Sequence, residues 1–443
     1  MPRSLLLIAT LYLGLTLTYL FALPVGEAPD EPAHFLYAQH LADTGAPPAP
    51  PPPQRDSFWK NGFVTSNYEW HHPPLYYALG ALVLRAGRFL SLVDRYPAFP
   101  AINPDFPGTM RPLFVAAPLR FTEVHLLRLL SALLGLGTVC ATFFLARRLL
   151  PDALWLPEMS AGFVATIPQF NFLHAYVTND TLAIFGSSLG LLGLVSVALS
   201  GTVERRRSWL LAGCGVAVAV AAKMTTWYLL PLAFLLALIQ FLTKPRALAK
   251  SVTDFLLFTA TATAGLLLSR LLWSDLLQRL FNSPQSKGIN PDFLTIAHLR
   301  AIFPMAHTSF WGMFGWVNMP LPSPLLWVLD AILLLGLVGA IAWFLRQRRT
   351  LSQGQWSGVL LLCAAIGSAL AAFWYFNLTV VQPQGRFLFT ALPAIGLLVG
   401  LGWLHWAGRF RGRMTLGFLL VMAGVNLTGL ATVIFPNFNF VAG

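Results

Sequence analysis

The chain has 443 residues, 56% of them hydrophobic and 10% charged, with a net charge of +12. Soluble domains carry about 25% charged residues, so a water-covered globular surface is excluded. The basic excess sits in short clusters between apolar runs, a pattern that encodes membrane topology and attracts anionic head groups, and it excludes a nucleic-acid reading.

The first apolar run, 4–23, follows a single Arg3 and precedes Pro24, Glu27 and Asp30. With no small-residue cleavage site behind it, it reads as an uncleaved first span. Further spans are expected at about 121–146, 158–177, 181–200, 208–222, 225–243, 251–272, 322–345, 356–376, 388–407 and 414–435, about eleven in all. Segment 73–92 is apolar but carries Arg85 and Arg88. The basic clusters decide its place: Arg147/Arg148, Arg205/Arg206/Arg207, Lys244/Arg246/Lys250, Arg346/Arg348/Arg349 and Arg409/Arg411/Arg413 each follow every second span. All share the cytoplasmic side with Arg3 only if 73–92 does not cross, so it is expected to lie in the outer interface as an amphipathic helix.

The fold class is therefore all-α, a polytopic transmembrane bundle forming a single membrane domain over 1–443. Two long segments, 24–120 and 274–320, are placed outside, the first carrying juxtamembrane helices and a stiff proline run at 47–53. Cys140, Cys214 and Cys363 lie in apolar runs and read as small packing residues.

The other polar residues then converge on the outer face. Asp30, Glu31 and His34 follow the first span; Glu69, His71 and His72 precede the interfacial helix; Asn179 and Asp180 sit at an outer turn; Lys223 ends a span; His307 lies in the second long loop; Gln384 and Arg386 precede 388–407. Such convergence indicates a polar cavity opening outward. Asp30-Glu31-Pro32 can be a helix start, with Asp as N-cap. A carboxylate fixed there can also take a proton from an acceptor hydroxyl. Glu69, His71 and His72 sit among interfacial aromatics, and imidazoles beside a carboxylate can bind a divalent metal. Asn179-Asp180-Thr181 can equally be a helix cap. Asp330 lies about six residues into an apolar run, roughly 9 Å deep, where a carboxylate costs a few kcal/mol without a partner or a wet cavity. Arg386 follows Gly385, and a guanidinium grips phosphate through two parallel hydrogen bonds.

The ordered pieces Asp30-Glu31, His72-Pro73-Pro74-Leu75-Tyr76-Tyr77, Leu127-Arg128-Leu129-Leu130-Ser131, Asn179-Asp180 and Gln384-Gly385-Arg386-Phe387-Leu388-Phe389 resemble the GT-C superfamily of membrane glycosyltransferases, which includes aminoarabinose transferases and protein O-mannosyltransferases. The resemblance spans about residues 20 to 400. It implies inverting transfer of a sugar from a polyprenyl-phosphate donor to an envelope lipid, glycan or protein acceptor, outside a bacterial inner membrane. The family's catalytic Asp maps to Asp30, with Glu31 beside it. Arg386, with Lys223 or Arg270, would hold phosphate; His34, His72 and Asp180 would bind substrate. Some members carry a metal-binding Glu and a Lys before the proline pair, where this chain has His71 and His72. That is a departure from the family pattern; the residues themselves carry the expectation of a divalent metal on Glu69, His71 and His307. A transporter or lipid flippase, or a non-catalytic assembly partner, would also explain the spans, but no internal repeat supports a transporter.

Overall fold

A computed structural model of the chain describes residues 2–50, 67–96, 99–115, 120–200, 202–243, 248–272 and 288–438. Part of the 47–53 proline run, Lys244 and Arg246, and 273–287 of the second long loop lie outside the described residues.

The regular structure of the described chain is almost wholly helical. In order it forms α1 (Arg3–Ala22), α2 (Glu31–Thr44), α3 (Leu75–Phe89), α4 (Glu123–Leu149), α5 (Leu156–Ala165), α6 (Pro168–Leu173), α7 (Asp180–Leu199), α8 (Thr202–Ala222), α9 (Leu229–Thr243), α10 (Leu248–Leu272), α11 (Ile296–Trp311), α12 (Ser323–Gln347), α13 (Gln353–Asn377), α14 (Leu392–Ala407) and α15 (Arg411–Gly429). A small hairpin after α11 pairs Met313 with Pro320 and Phe314 with Met319. Among the described residues, six helical segments are long and apolar enough to cross a bilayer: α1, α4, α7, α12, α13 and the continuous run Gly385–Asn437. Shorter apolar stretches, Met224–Gln240 and Val252–Leu267, fall where two more spans are expected. The chain is a multi-pass membrane protein.

The run expected as one span at 158–177 is broken into α5 and α6. Pro168 lacks the N–H that would continue the helix and takes its first position instead. Carbonyls freed by the break must be satisfied where water is scarce. Asn171 does this for Ala165 O, to which its amide donates at 3.0 Å while also reaching Ile167 O (2.9 Å), and Thr16 of α1 donates back to Asn171 (2.8 Å).

Segment 73–92 forms α3, lying against α2 and α4. Its two arginines are spent on neighbours: Arg85 donates to Ala42 O at 2.8 Å, and Arg88 pairs with Glu123 at 2.5 Å and Asp43 at 2.6 Å. Leu82 and Phe89 remain exposed on its outer face, as an interfacial helix requires.

Helices α7 and α8 run antiparallel with near-touching backbones. A Cβ on Gly193 would come within 2.3 Å of Ala212 N, and one on Gly186 within 2.6 Å of Ala219 N. Small residues permit this approach in membrane bundles. The consequence is local: the start of α7, Asp180, is brought beside Lys223 at the end of α8. The opposite end of the bundle gathers Asp152, Gln347, Gln355 and Arg411 around a separate hollow, next to the basic clusters that end α4 and α12 and begin α15. Cys140 is half-buried and Cys214 and Cys363 are exposed, so the two latter face outward and do not pack inward as expected.

Candidate active site

The turn between α1 and α2 sets the first part of the site. Asp30 adopts left-handed backbone (φ 63°, ψ 1°), and its side chain does not cap α2. The N-cap reading of its carboxylate therefore fails. Left-handed backbone is uncommon in a residue other than glycine and costs free energy that its surroundings must offset. Here it turns the carboxylate away from the helix. Tyr68 Oη donates to Asp30 Oδ1 at 2.8 Å, and Arg386 Nη2 stands 3.9 Å from Oδ2.

Glu31, one residue on, goes the other way. It is 0% exposed and accepts from Arg128 at 2.7 and 2.6 Å, from Gly26 N at 2.8 Å and from Val177 N at 3.1 Å. Arg128 spends its remaining donors on Leu20 O (3.0 Å), Leu23 O (2.6 Å) and Pro24 O (2.9 Å). Glu31 is thus a buried ion-pair partner that fastens the turn; it does not line the cavity, which corrects its expected catalytic role. Glu27 ties down the same loop, accepting from Leu113 N (2.8 Å) and Phe114 N (2.7 Å).

The second part comes from α7, α8 and the 384–387 segment. Lys223 Nζ sits 2.5 Å from Asp180 Oδ1, and Arg386 Nε sits 3.8 Å from Asp180 Oδ2. Arg386 Nη1 donates to Tyr176 Oη. Asp180 Oδ2 and Arg386 Nε are buried, face each other, and have no hydrogen-bond partner among the described residues. Buried polar atoms are nearly always satisfied, so such a pair marks a place for a ligand or water. Gly385 is dictated by contact: a Cβ there would lie 2.1 Å from Ala306 O of α11.

The third part is the turn before α3. Glu69 pairs with His72 Nε2, and His71 Nδ1 lies 3.2 Å from Tyr68 O. One ligand atom from each of Glu69, His71 and His72 falls within 4.8 Å of the others. His34 joins them, its Nδ1 2.8 Å from Tyr77 Oη.

These parts enclose a cavity of about 500 Å³. Asp30, His34, Glu69, His71, His72, Asp180, Lys223 and Arg386 all line it, with Trp316, Phe376 and Phe387 as apolar walls. Besides Glu31, two expected residues lie elsewhere. His307 is 2.8 Å from Asp330 Oδ1 and does not reach Glu69 and His71. Arg270 is exposed near the end of α10, so it does not hold phosphate here. Arg128, Tyr68 and Tyr176 were not singled out as site groups. Arg128 carried a usable signal, a charge inside an apolar run; the tyrosines carried none beyond membrane-interface preference.

Electrostatics sort the groups. Burial and then the Glu69 charge push Asp30 up to about 6, against the pull of Arg386, the Tyr68 hydrogen bond and Lys223. Burial also raises Glu69. His71 falls to about 4 through burial and then His72, and His72 to about 3 through burial and then Lys223. His34 drops well below the usual histidine range, chiefly by burial. At neutral pH the cavity holds an ionised, poised carboxylate at Asp30 and neutral imidazoles.

A family model described as dolichyl-phosphate-mannose-protein mannosyltransferase matches residues 119–277. No curated protein matches the chain by sequence. Among solved structures, ArnT from Cupriavidus metallidurans bound to undecaprenyl phosphate aligns with TM-score 0.54 and 15% identity over 96% of this chain and 64% of that one. The archaeal oligosaccharyltransferase AglB from Archaeoglobus fulgidus, in complex with an inhibitory peptide and a dolichol-phosphate, aligns with TM-score 0.50 and 12% identity over 100% of this chain and 56% of that one. The chain thus spans less than two thirds of these proteins' lengths. What it shares with them is the helical fold.

Proposed function

We propose that the protein is an inverting glycosyltransferase that moves a sugar from a polyprenyl-phosphate donor to a hydroxyl of an envelope lipid, glycan or protein. The reading includes a bacterial inner membrane, with the basic clusters cytoplasmic and the cavity outside. One observation carries it: Asp30 and Arg386 face one cavity, with Asp30 Oδ2 and Arg386 Nη2 3.9 Å apart. A base and a phosphate-binding cation that open on one cavity can serve the acceptor hydroxyl and the donor phosphate of the same sugar.

The residues divide the work. Asp30 accepts the proton of the acceptor hydroxyl, whose oxygen bonds to the anomeric carbon. The bond from that carbon to the phosphate oxygen breaks in the same displacement, and polyprenyl phosphate leaves. Arg386 binds the phosphate and stabilises the charge that develops on it. Tyr68 orients Asp30, and Asp180 holds Lys223 and Arg386 at the phosphate side. His34 and His72 line the space left for sugar and acceptor.

Glu69, His71 and His72 would hold a divalent cation if the enzyme uses one. Two imidazoles neutral at working pH and a carboxylate suit zinc or a similar ion. Bound there, the ion would supply positive charge near the donor phosphate. Metal content of purified protein before and after His71→Ala tests this: loss of stoichiometric metal supports the site, and metal-free wild type with full activity removes it.

Purified protein in detergent, given radiolabelled polyprenyl-phosphate sugar and a membrane extract as acceptor source, tests the function. Release of free polyprenyl phosphate with label moved to acceptor is expected. Detergent leaves no compartments, so a flippase would bind the donor without turning it over; that outcome would replace the transferase reading with transport.

A further inference from the structure

Asp330 remains unexplained by the chemistry above. It lies on α12 in an apolar run, between the exposed Trp327 and Leu334, and its side chain is 40% exposed. Two donors converge on one of its oxygens: His307 Nε2 at 2.8 Å and Trp311 Nε1 at 2.9 Å, both from the last turns of α11. Helices α11 and α12 otherwise touch little, whereas α12 packs extensively on α14. Asp330 is thus the polar rivet between the end of α11 and the α12–α14 pair.

The end of α11 is what holds the phosphate-side segment. Ser309 Oγ accepts from Gly385 N at 2.8 Å, and the backbone of α11 at Ala306 and Phe310 abuts Gly385 so closely that no side chain fits. Phe310 packs on Phe389 edge to face at 5.4 Å. Gly385 and Phe389 bracket Arg386. The hairpin leaving α11 also begins here, and it delivers Trp316 and Val317 to the cavity wall. A tilt of this turn therefore moves both Arg386 and that wall.

We propose that Asp330 is a positioning residue: by clamping His307 and Trp311 it fixes the last turns of α11, and through Ser309 and Gly385 it holds Arg386 at the phosphate subsite. This rests on the transferase reading only for what Arg386 binds; the mechanical link stands apart from it. The carboxylate acts here as a two-fold acceptor, so an amide oxygen in its place preserves the clamp while a hydrocarbon does not.

The test uses the full-length protein in detergent with two readouts, amide hydrogen exchange and binding of undecaprenyl phosphate. Asp330→Leu should speed exchange at 307–316 and 384–389 but not in α2, α4 or α7, and weaken undecaprenyl phosphate binding about tenfold, the size of one lost charge-assisted contact. Asp330→Asn should restore both to within about threefold of wild type, because the acceptor is kept. His307→Phe, which leaves Trp311 in place, should give a smaller change in the same segments and serves if Asp330→Leu does not fold. Unchanged exchange in both Asp330→Leu and His307→Phe overturns the proposal, as does an Asp330→Asn variant as impaired as Asp330→Leu. If wild type binds no polyprenyl phosphate, the transferase reading fails, and the exchange pattern alone still decides the clamp.

Discussion

Asp30 and Glu31 are neighbours in the chain, yet they stand in opposite circumstances. Glu31 accepts four hydrogen bonds, is fully buried and meets a guanidinium that is itself fully used. Asp30 is 31% exposed toward the cavity, holds one firm hydrogen bond from Tyr68, and looks across a gap at Arg386. A satisfied buried network gives rigidity and one arrangement of the backbone. An incompletely satisfied one leaves capacity for a ligand. The same two residue types, acid and arginine, build the frame at Glu31–Arg128 and the proposed reactive centre at Asp30–Arg386.

Substitutions should separate the two pairs. The largest expected effect is Asp30→Asn, which removes the proton acceptor: transfer should fall about a thousandfold, within the range for general-base loss, while the thermal midpoint in detergent does not fall. Wild-type turnover in that variant would remove Asp30 from the chemistry. Arg128→Leu should behave conversely. Stripping one partner from a buried pair costs about 3–5 kcal/mol, so the thermal midpoint should drop sharply and activity should fall with the folded fraction. Replacing both Glu31 and Arg128 by Met should recover part of that loss, since no lone buried charge is left; a double variant less stable than Arg128→Leu would contradict the frame role.

Arg386→Lys comes next. It keeps the charge and loses the two-pronged grip, so undecaprenyl phosphate binding should weaken roughly 10- to 100-fold with little change in stability; isothermal titration reads it directly.

The smallest effect is a pH dependence. Since the Asp30 carboxyl titrates at about 6, transfer should decline below that pH as the base becomes protonated, about tenfold per unit. Stability should move the other way. With its pKa raised in the folded protein, Asp30 binds more protons folded than unfolded between about 4 and 6, so stability falls as pH rises through that window. Burial also lifts Glu27, to about 7, so Glu27→Gln is the control: the activity limb near 6 should survive it and should vanish only with changes at Asp30.

Much of the architecture is legible along the chain, and the exceptions have local causes. The expectation that 73–92 does not cross follows from the placement of arginines relative to spans, a sum over nearby residues, and the short α3 with its exposed Leu82 and Phe89 is compatible with it. The break at Pro168 was readable in principle, since proline inside a helix removes a donor, but apolarity alone argued for continuity. Residue type and loop position alone group His307 with Glu69 and His71; its partner, Asp330, is 23 residues away, a spacing that no helical or hairpin repeat signals.

Apolar runs and basic clusters are properties of contiguous sequence, so the chain by itself determined that the protein spans a membrane and that its unusual polar residues gather at one end. It also marked Asp30 and Arg386 as candidates by residue type. Which of two adjacent acids is free, and which is locked, depended on Arg128, 97 residues beyond Glu31, and on a left-handed turn that aims the two side chains apart. Only tertiary packing decides that, because the direction of a side chain at a strained turn is set by the partners that meet it in space and not by its neighbours in sequence.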